Sequence, residues 1–155
     1  MLDKPNFKVG IIGAGQMGRG ICQSFAMNGF PVKMMDVSTD SLEKGLDFIN
    51  KQLEKGISRG KWDQEYVKQT QSLISSTDKV HELKNSHLII EAATENISLK
   101  ARIFKDLSEI VDKSVILATN TSSISITELA ANVSSPQRFI GMHFMNPVPV
   151  MKLVE

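Results

Sequence analysis

The chain has 155 residues, 41% of them hydrophobic and 23% charged, which fits one soluble globular domain with a sizeable core. Its 18 basic and 17 acidic residues leave a net charge of +1, so the clustered basic excess of a nucleic-acid binder is absent. The single cysteine, Cys22, cannot form an internal disulfide, no apolar run approaches membrane-spanning length, and the opening MLDKPNFK lacks the apolar core of a signal peptide; together these point to a cytoplasmic protein with no membrane attachment.

FKVGIIG (7–13) reads as a buried strand ended by glycines. Residues 16–28 carry Met17, Ile21 and Phe25 at helical spacing, and NGFP stops the helix. VKMMD (32–36) is a second short strand. From Asp40 onward Leu42, Leu46, Ile49, Leu53 and Ile57 fall on one helical stripe, with Asp40 and Glu43 in capping-box spacing. A further helical piece over 63–69 folds back after Gly60, so a helical hairpin is inserted after the second strand. SLIS (72–75) and SHLIIEA (86–92) read as strands, and 97–111 as an amphipathic helix with Ile103, Leu107, Ile110 and Val111 inward. SVILAT (114–119) is another apolar strand, a short helix covers 126–132, and RFIGMHF (138–144) and VMKLVE (150–155) are expected as two last strands. Fully apolar strands alternating with helices predict an α/β fold, a doubly wound, mostly parallel sheet covered on both faces, in one domain over residues 1–155.

VGIIGAGQMGRG contains Gly13-x-Gly15-x-x-Gly18, with Gln16 and Met17 between the last two glycines. Alone the pattern is weak, but here it leaves a strand and opens a helix, as dinucleotide binding requires. The first glycine permits the tight turn, the second lets backbone approach a pyrophosphate, and the third allows close helix–strand packing. The helix N-terminus then offers free N–H groups to the anion. Asp36 ends the second strand 18 residues past Gly18, near the spacing at which a carboxylate accepts from the adenosine ribose hydroxyls and repels a 2′-phosphate. The residues that follow, Val37, Ser38 and Thr39, include no arginine to receive that phosphate, so NAD is favoured over NADP. The plainer alternatives are a strand–turn–helix corner and a simple turn aspartate.

Three further stretches stand out: EAATEN (91–96), TNTSS (119–123) and GMHFMNPVPVMKLVE (141–155). The first two lie just past the carboxyl ends of apolar strands, where open α/β sheets bind ligands. With these strings the whole chain resembles the NAD-binding, Rossmann-type domain of the 3-hydroxyacyl-CoA dehydrogenases, including the 3-hydroxybutyryl-CoA enzymes and the dehydrogenase part of multifunctional β-oxidation proteins. The resemblance implies an NAD-dependent oxidoreductase of fatty acid metabolism acting on an acyl-CoA. It places the catalytic histidine at His143, its partner carboxylate at Glu155, and a serine meeting both substrate and cofactor at Ser122. It also implies nicotinamide-side and ribose contacts from Glu95, Lys100 and Asn146. CoA contacts fall on Gln52 and Arg59, where the serine and lysine usual in the family are replaced. The family's helical C-terminal domain, which completes the acyl pocket and forms a homodimer, is absent from these residues. The expectation is therefore a chain ending at a domain boundary, able to bind NAD and poor at turnover.

The chemistry can also be argued from the residues. Oxidising a secondary alcohol removes a hydride and a proton, and a histidine titrating near neutrality suits the proton. A carboxylate on its other ring nitrogen would fix the tautomer. In 150–155, Met151, Leu153 and Glu155 share one strand face, so Glu155 follows two apolar neighbours and is expected to need a partner. Pro147 and Pro149 suit a turn that brings Glu155 back beside His143. A lone histidine in an apolar strand is more often a satisfied core residue; the surrounding string argues otherwise here. Lys44, Lys51, Lys55, Arg59 and Lys61 could meet CoA phosphates or form a solvated helix face. His81 and His87 read as surface residues, Cys22 as packing, Trp62 as an anchor for the hairpin, and no metal-ligand spacing is present. Two competing readings are a β-hydroxyacid dehydrogenase of the phosphogluconate type and a crystallin-like nucleotide-binding module without turnover.

Overall fold

Residues 3–155 are described by a computed structural model; the first two residues of the N-terminal segment read above lie outside them. The strands are β1 (Val9–Ile12), β2 (Val32–Met35), β3 (Ile74–Thr77), β4 (Leu88–Glu91), β5 (Ile116–Thr119) and β6 (Phe139–Gly141). The helices are α1 (Gln16–Met27), α2 (Thr39–Ser58), α3 (Gln64–Ser72), α4 (Ile97–Ile110) and α5 (Ile126–Ala130). The strands form one six-stranded sheet in the order β3-β2-β1-β4-β5-β6, and every pair is parallel.

Strand alternation explains why a fully apolar run is needed. Val9 and Ile11 of β1 and Ile90 of β4 enter one core with Ile21, Ile49 and Leu53 from α1 and α2. Ile12 and Ile89 enter the other, with Phe104 and Leu107 of α4 and Leu129 of α5. Each central strand thus has two apolar faces because each face has its own helical cover. From β1 the chain builds outward through β2 and β3, then crosses back to place β4 on β1's other side. The reversal opens a crevice at the carboxyl ends of β1 and β4, the position that binds ligands in such sheets.

Several sequence expectations shift. Helix α2 is capped by Ser38, whose Oγ accepts from Ser41 N at 3.2 Å, rather than by an Asp40–Glu43 box. Asp40 instead pairs with Lys44 at 2.7 Å, and Asp47 with Lys51 at 2.7 Å, so those lysines belong to the solvated face. The third strand lies two residues later than SLIS. On α4 the inward stripe is Lys100, Phe104 and Leu107, with Ile103 and Ile110 at its flanks. The expected last strand over 150–155 reduces to a single antiparallel bridge, Phe144 with Val154. Its Met151 and Leu153 face is open, the two being 45% and 54% exposed, because among the described residues no element packs over it. Trp62 does anchor the turn between α2 and α3, donating from Nε1 to Leu53 O at 2.8 Å. Among the described residues no helix is long and apolar enough to cross a membrane.

Candidate active site

The glycines divide their work as their spacing implies. Gly13 has φ +107°, and a Cβ there would lie 2.7 Å from Ala92 O, so this turn excludes a side chain. A Cβ on Gly18 would sit 1.8 Å from Gly13 O, which is the close helix–loop approach. Around a Cβ on Gly15, by contrast, nothing lies within 4 Å. Gly15 caps α1 without a side-chain acceptor, leaving the first-turn N–H groups facing open space beside a backbone stripped of bulk. Asp36 closes the other end of the cradle. Its Oδ2 accepts from Ala14 N and its Oδ1 from Ser38 N, each at 2.9 Å. Each carboxylate oxygen keeps a further lone pair for a ribose hydroxyl. A dinucleotide fits this donor and acceptor set.

Across the crevice, the ends of β4 and β5 carry polar side chains held in a network. Glu91 is 0% and Lys100 1% exposed, and Lys100 Nζ lies 2.5 Å from Glu91 Oε1. The same oxygen accepts from Thr119 Oγ1 at 2.9 Å, while Oε2 accepts from Ala93 N at 2.8 Å. Lys100 therefore lines the cleft but aims its ammonium inward, at Glu91. Thr121 Oγ1 donates to Glu95 Oε2 at 2.9 Å, tying EAATEN to TNTSS, and accepts from Ile124 N at 3.2 Å. Between them Asn120 Oδ1 accepts from Phe144 N at 2.8 Å.

The parallel pairing of Thr119 with Gly141 brings Ser122 and His143 to the same end of the sheet, where Ser122 is exposed. Residues 145–150 turn through Pro147, whose carbonyl accepts from Val150 N and Met151 N at 3.0 Å each. The returning segment exchanges two backbone bonds with the outgoing one, His143 N to Glu155 O at 2.8 Å and Glu155 N to His143 O at 3.0 Å. This hydrogen-bonded pair sets the side chains together, His143 Nδ1 lying 3.2 Å from Glu155 Oε2. The expected pairing is therefore made, by a bridge rather than a strand. Its side chains are 29% and 62% exposed, so the contact is open to solvent.

Two concavities flank these groups. A cleft of ≈ 290 Å³ runs from Gly15, Gln16 and Met17 past Ala92–Glu95 and Lys100 to Asn120. A larger cavity of ≈ 490 Å³ lies between α1, α2 and the 146–150 turn, lined by Gln16, Gln52, Arg59 and Asn146 together with Arg19, Lys55 and Lys61. Gln52 and Arg59 thus share one wall, while Asn146 opens into this cavity rather than the cleft. In it the Arg19 guanidinium lies 3.7 Å from the Phe48 ring centroid. Cys22, in the core beneath, is pushed up from its ordinary 9.0 to about 12 by burial, and is an inert thiol. No group of metal-ligating side chains is found among the described residues.

Glu91, Thr119, Asn120 and Arg19 carry this geometry; each lies in a stretch the sequence marks out, but no role was assigned to it there. A signal for the first existed: Lys100 stands on the apolar stripe of its helix, one turn before Phe104, and a lysine there needs a buried acid.

Residues 8–155 match the family model described as 3-hydroxyacyl-CoA dehydrogenase, NAD binding domain. A probable 3-hydroxybutyryl-CoA dehydrogenase of Bacillus subtilis is 48% identical over 145 residues, covering 94% of this chain and 50% of that protein. The 3-hydroxybutyryl-CoA dehydrogenase of Clostridioides difficile is 45% identical, covering 96% and 53%. Among solved structures, the (S)-3-hydroxybutyryl-CoA dehydrogenase of Ralstonia eutropha superposes with a TM-score of 0.92 at 46% identity, over 95% of this chain and 52% of that one. The chain thus spans about half the length of these relatives. Neither the phosphogluconate-type nor the crystallin-like alternative is favoured by these matches.

Proposed function

Because the chain belongs to the 3-hydroxyacyl-CoA dehydrogenase NAD-binding domain family, we propose that the whole protein interconverts 3-hydroxyacyl-CoA and 3-oxoacyl-CoA, with His143 and Glu155 as its proton-transfer pair. The observation that carries this is the contact of His143 Nδ1 with Glu155 Oε2 at 3.2 Å, beside a dinucleotide cradle. When bound, NAD supplies the hydride acceptor. The chain's own residues do the rest. Asp36 takes the adenosine ribose hydroxyls, and the α1 N-terminus takes the pyrophosphate. Glu155 accepts from His143 Nδ1–H and so leaves the lone pair on Nε2, which receives the hydroxyl proton of the substrate. The carboxylate then stabilises the imidazolium. Ser122, on the exposed turn after β5, orients the substrate oxygen, and Glu95 holds the loop against the nicotinamide ribose.

Gln52 and Arg59, with Lys55 and Lys61 nearby, support the α1–α2 cavity as the place of the CoA phosphates; Asn146 lines the same cavity. The solvent exposure of His143 and Glu155 supports a further cover over the site. The open apolar residues Val150, Met151, Leu153 and Val154 support a helical domain packing there, through which the whole protein would form its homodimer. A cytoplasmic location belongs to the same proposal.

The test is acetoacetyl-CoA-dependent loss of NADH absorbance by the whole protein. His143→Ala should abolish it while NADH binding, followed by nicotinamide fluorescence, persists. Undiminished turnover in that variant refutes the proton-transfer role, and no acyl-CoA-dependent turnover in the unaltered protein refutes the function. The 155 residues alone should bind NADH and turn over slowly.

A further inference from the structure

Asn120 lines the ≈ 290 Å³ cleft and is only 9% exposed. The orientation of its amide follows from chemistry, because Phe144 N is a donor and the atom 2.8 Å from it must be the carbonyl oxygen. The NH2 end of the side chain therefore turns the other way. Among the described residues Nδ2 has no hydrogen-bond partner, and Arg19 Nε is the only such unpartnered side-chain atom sealed from solvent. Nδ2 consequently retains access to the cleft its residue lines. A nine-tenths buried amide with one end spoken for and the other open is a preorganised donor.

The sheet order says what reaches it. Asp36, at the end of β2, marks the adenosine end; Gly15–Met17, after β1, mark the pyrophosphate; Ala92–Glu95 and then Asn120 follow at the ends of β4 and β5. With strands about 4.8 Å apart, β5 lies about 10 Å from β1, the reach of a nucleoside beyond the pyrophosphate. We propose that Asn120 is a further cofactor-binding residue, its Nδ2–H donating to an oxygen of the nicotinamide nucleoside half of the dinucleotide while its Oδ1 anchors the main chain next to His143. This rests on the NAD-binding reading above and adds the residue that grips the reactive half.

Asn120→Asp keeps the acceptor for Phe144 N and deletes the donor; Asn120→Ala deletes both. By nicotinamide fluorescence, both should bind NADH about tenfold more weakly. Binding of ADP, which lacks the nicotinamide nucleoside, should be unchanged in both and serves as the check on folding. NADH binding by Asn120→Asp within twofold of the unaltered chain overturns the proposal, as does an equal loss for ADP. A measurement without substitution stands beside these: on adding NADH, and not ADP, the Asn120 side-chain amide protons should shift and slow their exchange in a ¹⁵N-correlated spectrum. Exchange unaltered by NADH also overturns it. A chain that binds neither NADH nor ADP refutes the NAD-binding reading itself, a result distinct from unchanged NADH binding in the variants.

Discussion

Removing the ammonium of Lys100 should be among the most damaging single changes available to this fold. Lys100 and Glu91 are 1% and 0% exposed, and the carboxylate is served by three donors, Lys100 Nζ, Thr119 Oγ1 and Ala93 N. Lys100→Met keeps most of the volume and leaves a buried carboxylate with two neutral donors and no countercharge. Breaking such a pair from one side costs about 3–5 kcal/mol. In a domain of this size each kcal/mol moves the melting midpoint by about 2–4 °C, so a fall of roughly 10 °C is expected. The pair itself adds little net stability, since two desolvations oppose one attraction. Glu91→Gln in the Lys100→Met background should therefore recover at least half the loss, the new amide accepting from Ala93 N and donating to Thr119 Oγ1. Urea unfolding followed by far-ultraviolet circular dichroism gives both numbers. A single variant that loses less than about 1 kcal/mol, or a double variant no better than the single, refutes this account of the buried network.

The glycines offer a cleaner separation of folding from binding. Gly15→Ala meets nothing within 4 Å and should melt within a few degrees of the unaltered chain while NADH binding, by fluorescence titration, falls at least about tenfold. Gly18→Ala, with a Cβ 1.8 Å from Gly13 O, should lose stability and binding together in the same two measurements. Asp36→Ala deletes the acceptor of two backbone N–H groups and the ribose contact, so NADH should bind more weakly and the preference over NADPH should narrow in competitive titration. Burial raises the Cys22 thiol from 9.0 to about 12, and the sign follows: the unfolded thiol ionises first, so its contribution to stability is whole below pH 9 and is lost as pH rises toward 12. At pH 8 Cys22 should resist a disulfide reagent until denaturant unfolds the chain; rapid labelling of the native protein would contradict its burial.

What sequence alone determined is whatever depends on local order and period. Val9–Ile12, 88–90 and 116–118 carry no polar side chain on successive residues, a pattern that suits a sheet covered on both faces, and the glycine spacing suits a strand, a tight turn and a helix in immediate succession. Asp36, the cradle and the His143–Glu155 pairing across two prolines were legible for the same reason, since each partner lies on, or a short turn from, a recognisable string. Tertiary structure decided what depends on neighbours far along the chain. The run 150–154 is apolar but for Lys152, as a strand would be, yet among the described residues no element covers it, so it makes one bridge, to Phe144, and stays open. Lys100 finds Glu91 nine residues away and Thr119 beyond it only because α4 packs where β4 and β5 end. Asn120 gives its amide oxygen to Phe144 N, 24 residues on. Hydrogen bonds are directional and pair atoms without regard to separation in sequence, so which end of an amide is left free for a ligand is settled only when the chain has closed on itself.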